Sequence, residues 1–152
     1  MYLATNSSGF CESTDYGKNW TSINSGLTNI SETDLTTTGG RVYASIWSSG
    51  VFVFNNDDSR WTAVNNGLSN PDVNAIASGG GDLFAGTNSG LFVSLDEGST
   101  WAYDSIGTPP QALAVDFVAV ENSYLYVSTS EGVWRFPIAN LPESLTTRGK
   151  AR

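Results

Sequence analysis

The chain has 152 residues, enough for one sizeable core, and no histidine, which removes Ser-His-Asp and Cys-His catalysis and every histidine metal site. Its one cysteine, Cys11, allows neither an internal disulfide nor a thiolate zinc cluster and reads as a small core residue. Net charge is −8, and three of the seven basic residues (Arg148, Lys150 and Arg152) crowd the last five positions, so the body repels phosphate backbones and anionic lipid; neither a nucleic-acid partner nor membrane insertion is expected.

From the N-terminus the chain reads as a series of short β-branched and aromatic runs between turn residues, with no sustained apolar period of 3.6. Four strand types recur, here lettered A (innermost) to D (outermost). Tyr2–Thr5 is a B strand and Gly9–Glu12 a C strand, and a D strand starts at Trp20. The second unit has A at Thr33–Thr38, B at Val42–Ser45, C at Gly50–Phe54 and D from Trp61. The third has A at Val73–Ser78, B at Leu83–Gly86, C at Gly90–Ser94 and D from Trp101. The fourth has A at Asp116–Glu121, B at Leu125–Ser128 and C at Gly132–Phe136; a turn of helix is expected near Leu141–Thr146. Gly9, Gly50, Gly90 and Gly132 open the C strands at intervals of 41, 40 and 42 residues. Gly26 and Gly67 recur in Asn-Ser-Gly-Leu and Asn-Asn-Gly-Leu, with Gly107 at the matching place in the third unit. A period of about 40 to 50 residues filled with short strands marks propeller blades.

Between strands C and D lies a signature. Ser13-Thr14-Asp15-Tyr16-Gly17-Lys18-Asn19-Trp20 matches Ser94-Leu95-Asp96-Glu97-Gly98-Ser99-Thr100-Trp101, and Phe54-Asn55-Asn56-Asp57-Asp58-Ser59-Arg60-Trp61 is a worn copy. These residues resemble the Asp-box (BNR-like) repeat, Ser-x-Asp-x-Gly-x-x-Trp, of sialidase-like, sortilin-type and secreted bacterial propellers. The resemblance implies that the box is the hairpin turn from C to D. A short carboxylate can accept N–H groups of its own turn, a glycine takes positive φ at little cost, and the tryptophan buries its ring between blades. Ser13, Asp15, Gly17, Trp20, Ser94, Asp96, Gly98 and Trp101 are therefore read as scaffold, not as catalytic residues. In the worn copy Asn56 replaces the aspartate and is expected to keep the turn through its tolerance of left-handed backbone.

The catalytic readings are poor. The sialidases that the box evokes need an arginine cluster, whereas Arg41, Arg60 and Arg135 sit at three different repeat positions. A two-carboxylate glycosidase needs acids about 5–10 Å apart across a cleft; Asp34 and Asp116, with Asp72 and Asp82, are the candidates, and turn or strand-end solvation explains them as well. Phosphate loops, nicotinamide fingerprints and calcium-loop spacing are missing, so no cofactor and no metal are expected. A glycan-binding propeller presents aromatics on a rim. Trp47 is the candidate, because its B–C turn carries one more residue than those of the third and fourth units and is apolar where they are polar; Trp134 and Tyr124 are lesser candidates.

The reading is all-β: a β-propeller of four-stranded antiparallel blades, about three and a half per chain. Residues 1–147 form the propeller segment, ordered BCD, ABCD, ABCD, ABC, and 148–152 a disordered basic tail. The function expected is a non-catalytic binding or structural module for glycan or protein. The runner-up is half of a two-carboxylate glycoside hydrolase. The resemblance to secreted propellers suggests an extracytoplasmic setting, although the chain shows no signal peptide. Three ring closures are open: a strained four-bladed monomer, a head-to-tail dimer of eight blades, or a dimer of six in which Trp20–Ser25 supplies a D strand to the partner's Gly132–Phe136. A homodimer is favoured, because six to eight blades are common sizes.

Overall fold

The computed structural model describes residues 1–5, 8–103 and 114–140. They form four antiparallel sheets of three, four, four and three strands, each a simple meander. Blade 1 holds β1 (Tyr2–Thr5), β2 (Gly9–Glu12) and β3 (Thr21–Ser22). Blade 2 holds β4 (Glu32–Thr38), β5 (Arg41–Ile46), β6 (Gly50–Asn55) and β7 (Arg60–Ala63). Blade 3 holds β8 (Val73–Gly79), β9 (Asp82–Thr87), β10 (Gly90–Ser94) and β11 (Ala102–Tyr103). Blade 4 holds β12 (Val115–Glu121), β13 (Tyr124–Thr129) and β14 (Gly132–Pro137), followed by one 3₁₀ turn at Ile138–Asn140. Gly107, the helical turn expected at Leu141–Thr146 and the basic tail lie outside the described residues.

The D strands are shorter than the pattern implies. After each intact box only two residues pair, Thr21–Ser22 and Ala102–Tyr103, whereas the worn copy pairs four, Arg60–Ala63. The reason is the turn: a hydrogen-bonded box occupies the residues that the worn copy releases to the ladder. All three A strands share one irregularity. The register shifts between Glu32 and Asp34, between Val73 and Ala75, and between Val115 and Phe117, a β-bulge near the start of each innermost strand.

Period-two alternation sends one face of each blade to the blade before and the other to the blade after. Val42, Ala44 and Ile46 pack with Phe10 and Ile23 of blade 1. Tyr43, between them in sequence, packs with Leu83, Ala85 and Phe92 of blade 3. Phe84, Leu91 and Val93 then pack with Val118, Leu125 and Val127 of blade 4. Both faces of a middle blade are thus apolar, which is why β5 and β10 read as near-continuous hydrophobic runs. Burying each large side chain contributes about 1.5–3 kcal/mol.

The end blades differ. Trp61 and Trp101 are 1% and 3% exposed, but Trp20 is 40% exposed. The expectation that the signature tryptophan is buried between blades therefore fails for Trp20: no described blade precedes it. Cys11, expected in the core, is only partly buried for the same reason, since it stands opposite Leu3 where Phe52 stands opposite Ala44 in blade 2.

Candidate functional site

The two intact boxes are nearly superimposable in their bonding. Ser13 Oγ donates to Asp15 Oδ1 at 2.9 Å, and Ser94 Oγ to Asp96 Oδ1 at 2.8 Å. Each serine oxygen accepts the glycine N–H, Gly17 or Gly98, at 2.8 Å. Asp15 accepts the Asn19 N–H at 2.9 Å and the Asn19 amide at 2.6 Å; Asp96 accepts the Thr100 N–H at 2.8 Å and the Thr100 hydroxyl at 2.6 Å. Positive φ falls on two successive residues, Tyr16–Gly17 and Glu97–Gly98, not on the glycine alone. The Asn19 donors hold the Asp15 carboxyl below the usual carboxylate range. Partial burial pushes Asp96 upward, but the Thr100 and Ser94 donors outweigh it and its carboxyl also lies low. Carboxylates held in this way stay ionised and are poor proton donors near neutral pH.

The worn copy is built differently from the expectation. Positive φ falls on Ser59, and the Asp57 N–H is accepted by Asn55 Oδ1 at 3.0 Å, so Asn56 does not stand in for the aspartate. With phenylalanine at the serine position, the oxygen that would gather the turn N–H groups is missing.

Behind two of the signature tryptophans, Trp61 and Trp101, lies a clamp that sequence reasoning overlooked. Trp61 Nε1 donates to the Ile23 carbonyl at 2.5 Å and Trp101 Nε1 to the Val64 carbonyl at 2.6 Å, in each case on the preceding blade. Their backbone N–H groups donate to Ser25 and Asn66. A side chain on Gly26 or Gly67 would overlap the Trp61 or Trp101 carbonyl. The asparagine two residues before each glycine spans its own blade: Asn24 accepts the Phe10 N–H at 2.8 Å and donates to the Ser8 carbonyl at 2.7 Å, and Asn65 accepts the Val51 N–H at 2.7 Å and donates to the Ser49 carbonyl at 3.0 Å. The signal was an asparagine four residues after two of the signature tryptophans.

Trp47 lies on the B–C rim of blade 2 and is 44% exposed. Its backbone is held by Ser31 and by the Asn29 amide, which donates to the Trp47 carbonyl at 2.9 Å. Beside it Ser48 Oγ donates to Asp72 Oδ1 at 2.7 Å, and the Asn88 amide reaches Asp72 Oδ2 at 3.4 Å. Asp72 is thus engaged in stitching the rims of blades 2 and 3. Trp134 is partly exposed on β14, and the Arg135 guanidinium sits 4.7 Å from the Tyr124 ring centroid.

The other acids do not form an evident pair. Asp34 follows the bulge of β4, whereas Asp116 is the bulged residue of β12, so they hold non-equivalent positions. Burial raises the Asp34 carboxyl, against the Ile76 and Leu35 N–H groups that it accepts at 3.3 and 2.8 Å. Burial also raises Asp82. Of the basic residues, Arg41 meets Glu97 at 3.4 Å in an exposed pair while Arg135 stacks on Tyr124, so these two do not converge. An open polar cavity of about 500 Å³ is lined by Glu12, Asp15, Asn19 and Asp58 among others, and one of about 530 Å³ by Arg41, Asn55, Asn56 and Asp57. Neither includes Trp47 or Asp34. Among the described residues no cluster of three metal-ligating side chains occurs, and no helix is long and apolar enough to cross a membrane.

No protein-family model matches the sequence, and no curated protein matches it. Solved structures do. An ancestral GH74 enzyme superposes with a TM-score of 0.72 at 19% identity, over 92% of this chain and 21% of that one. The extracellular domain of the hybrid two component system BT3049 from B. thetaiotaomicron gives 0.71 at 14%, over 93% and 21%. A GH74 enzyme from Niastella koreensis gives 0.61 at 21%, over 93% and 23%. The chain therefore spans about a fifth of the length of these proteins. At such identities the likeness establishes the fold: this is an all-β, propeller-like assembly of antiparallel blades.

Proposed function

We propose that the chain is a non-catalytic β-propeller module that binds glycan or protein, with its ring closed by a second copy. The two Ser-x-Asp-x-Gly-x-x-Trp turns are its Asp-boxes and act as scaffold. The observation that carries this reading is the bonding of Asp15 and Asp96: the carboxylates that the signature would offer for chemistry are occupied by donors of their own turns and held ionised. The candidate ligand site is the rim at Trp47, whose half-exposed indole offers an apolar platform beside the polar groups of Asn29, Ser48 and Asp72. The extracellular domains among its structural neighbours support an extracytoplasmic setting.

A second reading rests on Asp34. Its carboxyl is raised by burial on an innermost strand, as a general acid requires, and GH74 enzymes share the fold. One experiment separates the two. The chain and its Trp47→Ala and Asp34→Asn variants are screened for binding on a glycan array and for sugar release from polysaccharides. The module reading expects no sugar release, with any glycan binding lost in Trp47→Ala at an unchanged melting temperature. Sugar release by the parent chain that disappears in Asp34→Asn would replace it with the hydrolase reading.

A further inference from the structure

Antiparallel meanders put the C–D and A–B turns of every blade on one rim and the B–C turns and D–A connections on the other, the rim of Trp47. The charged side chains divide between them. Lys18 lies in a signature turn, Arg41 and Arg60 open β5 and β7 beside the A–B and C–D turns of blade 2, and Arg135 stacks on Tyr124 at the start of β13. These bases are all on the signature rim. On the Trp47 rim the charged side chains among the described residues are Asp34, Asp72, Asp116 and Glu131, every one an acid. In sequence, none of residues 5–9, 23–34, 46–50, 64–74, 87–90, 104–116 and 129–132, the turns and connections of that rim, is lysine or arginine. The remaining bases, Arg148, Lys150 and Arg152, lie outside the described residues.

We infer that the Trp47 rim takes an uncharged glycan and turns away anionic ones, those bearing uronate, sialate or sulfate groups, an inference that rests on the Trp47 binding reading and adds the charge class of the ligand. The backbone beneath the indole is held before any ligand arrives. The Trp47 N–H donates to the Ser31 carbonyl at 3.0 Å and the Trp47 carbonyl accepts the Asn29 amide at 2.9 Å, so the loop has little order left to gain on binding. A carboxylate has about four acceptor sites. Asp72 fills one with the Ser48 hydroxyl at 2.7 Å and reaches the Asn88 amide only at 3.4 Å, which leaves oxygens for the hydroxyl donors of a sugar. A sugar O–H bonded to a carboxylate is charge-assisted. A sugar carboxylate or sulfate in the same place meets a like charge, and the rim's turns and connections supply no guanidinium or ammonium to offset the repulsion. One indole among amides and hydroxyls also suits a sugar ring better than a protein surface, whose docking relies on several aromatic or arginine anchors.

A glycan array read with the full chain tests this, each neutral glycan being paired with its uronate, sialylated or sulfated counterpart and lysine-rich peptides being included. Neutral glycans should bind, should lose binding in Trp47→Ala, and should keep the same affinity up to about 1 M sodium chloride, where the screening length falls to about 3 Å. Their anionic counterparts should bind weakly and gain from the salt. Asp72→Asn should narrow the neutral-to-anionic ratio about threefold to tenfold, the scale of one unit charge a few ångströms away in water. Asp57→Asn, on the opposite rim, should leave the ratio unchanged. The ratio is read within each protein, so a partial loss of folded material cancels. Anionic glycans bound as tightly as neutral ones, with binding lost in Trp47→Ala, would overturn the charge selection and leave the Trp47 site standing. A ratio that Asp72→Asn leaves alone, or that Asp57→Asn shifts as far, would do the same. Trp47-dependent capture of lysine-rich peptides in place of glycans would overturn it in favour of a basic protein partner. Neutral glycan binding that survives in Trp47→Ala, or no binding to any glycan, overturns the selection and the Trp47 glycan site together.

Discussion

At the scale of single residues, the signature turn is a charge-assisted hydrogen-bond unit. Ser94 is fully buried, and its oxygen both accepts the Gly98 N–H and donates to Asp96. The depressed Asp96 carboxyl has a consequence for acid stability. A group whose folded pKa lies below its unfolded value, about 3.9 for aspartate, stabilises the fold above that unfolded value and loses its contribution as pH falls through the folded one. The Asp96→Asn variant should therefore melt below the parent chain at neutral pH, and the gap should narrow below about pH 4. Asp34 and Asp82, raised by burial, run the other way: each sheds a desolvation penalty as it protonates. They are common to both chains and drop out of the difference. Urea unfolding of the two proteins from pH 7 to pH 3 checks this, and a gap independent of pH would mean that the carboxylate charge is not what the turn uses.

At the scale of elements, each of the first two blades is tied together by one asparagine. Asn65 leaves the end of strand D, crosses back to the B–C turn and accepts the N–H of Val51, a fully buried residue. Asn65→Ala would leave that N–H without a partner, which costs about 1–3 kcal/mol. The same change at Asn24, in an end blade, should cost less because blade 1 opens more readily. Chemical denaturation of both variants checks the order. In blade 3 the ring of Tyr103 lies where the clamp would stand, against Gly90 and packed edge-on to Phe92 with centroids 5.6 Å apart. The D–A connection of that blade, 104–113, lies outside the described residues.

At the scale of the whole molecule, a propeller segment is a one-dimensional stack: each blade touches only its neighbours, and stability accumulates seam by seam. Among the described residues, blades 2 and 3 are covered on both sides and blades 1 and 4 on one. Amide hydrogen exchange should accordingly be slowest in β5 and β9 and faster in β1 and β14 at concentrations where the chain is monomeric. If a second copy closes the ring, as proposed, raising the concentration should slow β1 and β14 selectively. Uniform protection across all four blades in a monomer would contradict the stack. Function scales in the same way. The rim at Trp47 belongs to blade 2 and to the linker entering it, so a ligand there does not need the closed ring, whereas anything bound along the innermost strands does.

The fold was legible because its signals are local and repeated. A glycine opens each C strand, a polar turn follows, and a tryptophan returns about every 40 residues; those spacings locate the strands of the described residues to within a few positions. The bonds inside the boxes were legible for the same reason, since Ser13, Asp15 and Asn19 lie within one turn of each other. What the sequence could not decide is everything that crosses a seam. Tyr43 and Glu97 are 54 residues apart, and Trp61 and Ile23 are 38 apart. Nothing in the spacing says that a tryptophan clamps onto the blade before it rather than the blade after, or that Trp20 stays exposed while Trp61 is buried. The worn turn failed for a related reason: by its letters Asn56 could replace an aspartate, but without a serine oxygen at Phe54 the backbone N–H groups gather elsewhere. Sequence alone determined the repeat and its turns, because a hairpin closes through contacts between near neighbours. The tertiary structure decided which side chains are spent on seams and which remain available, because burial depends on the blade stacked alongside.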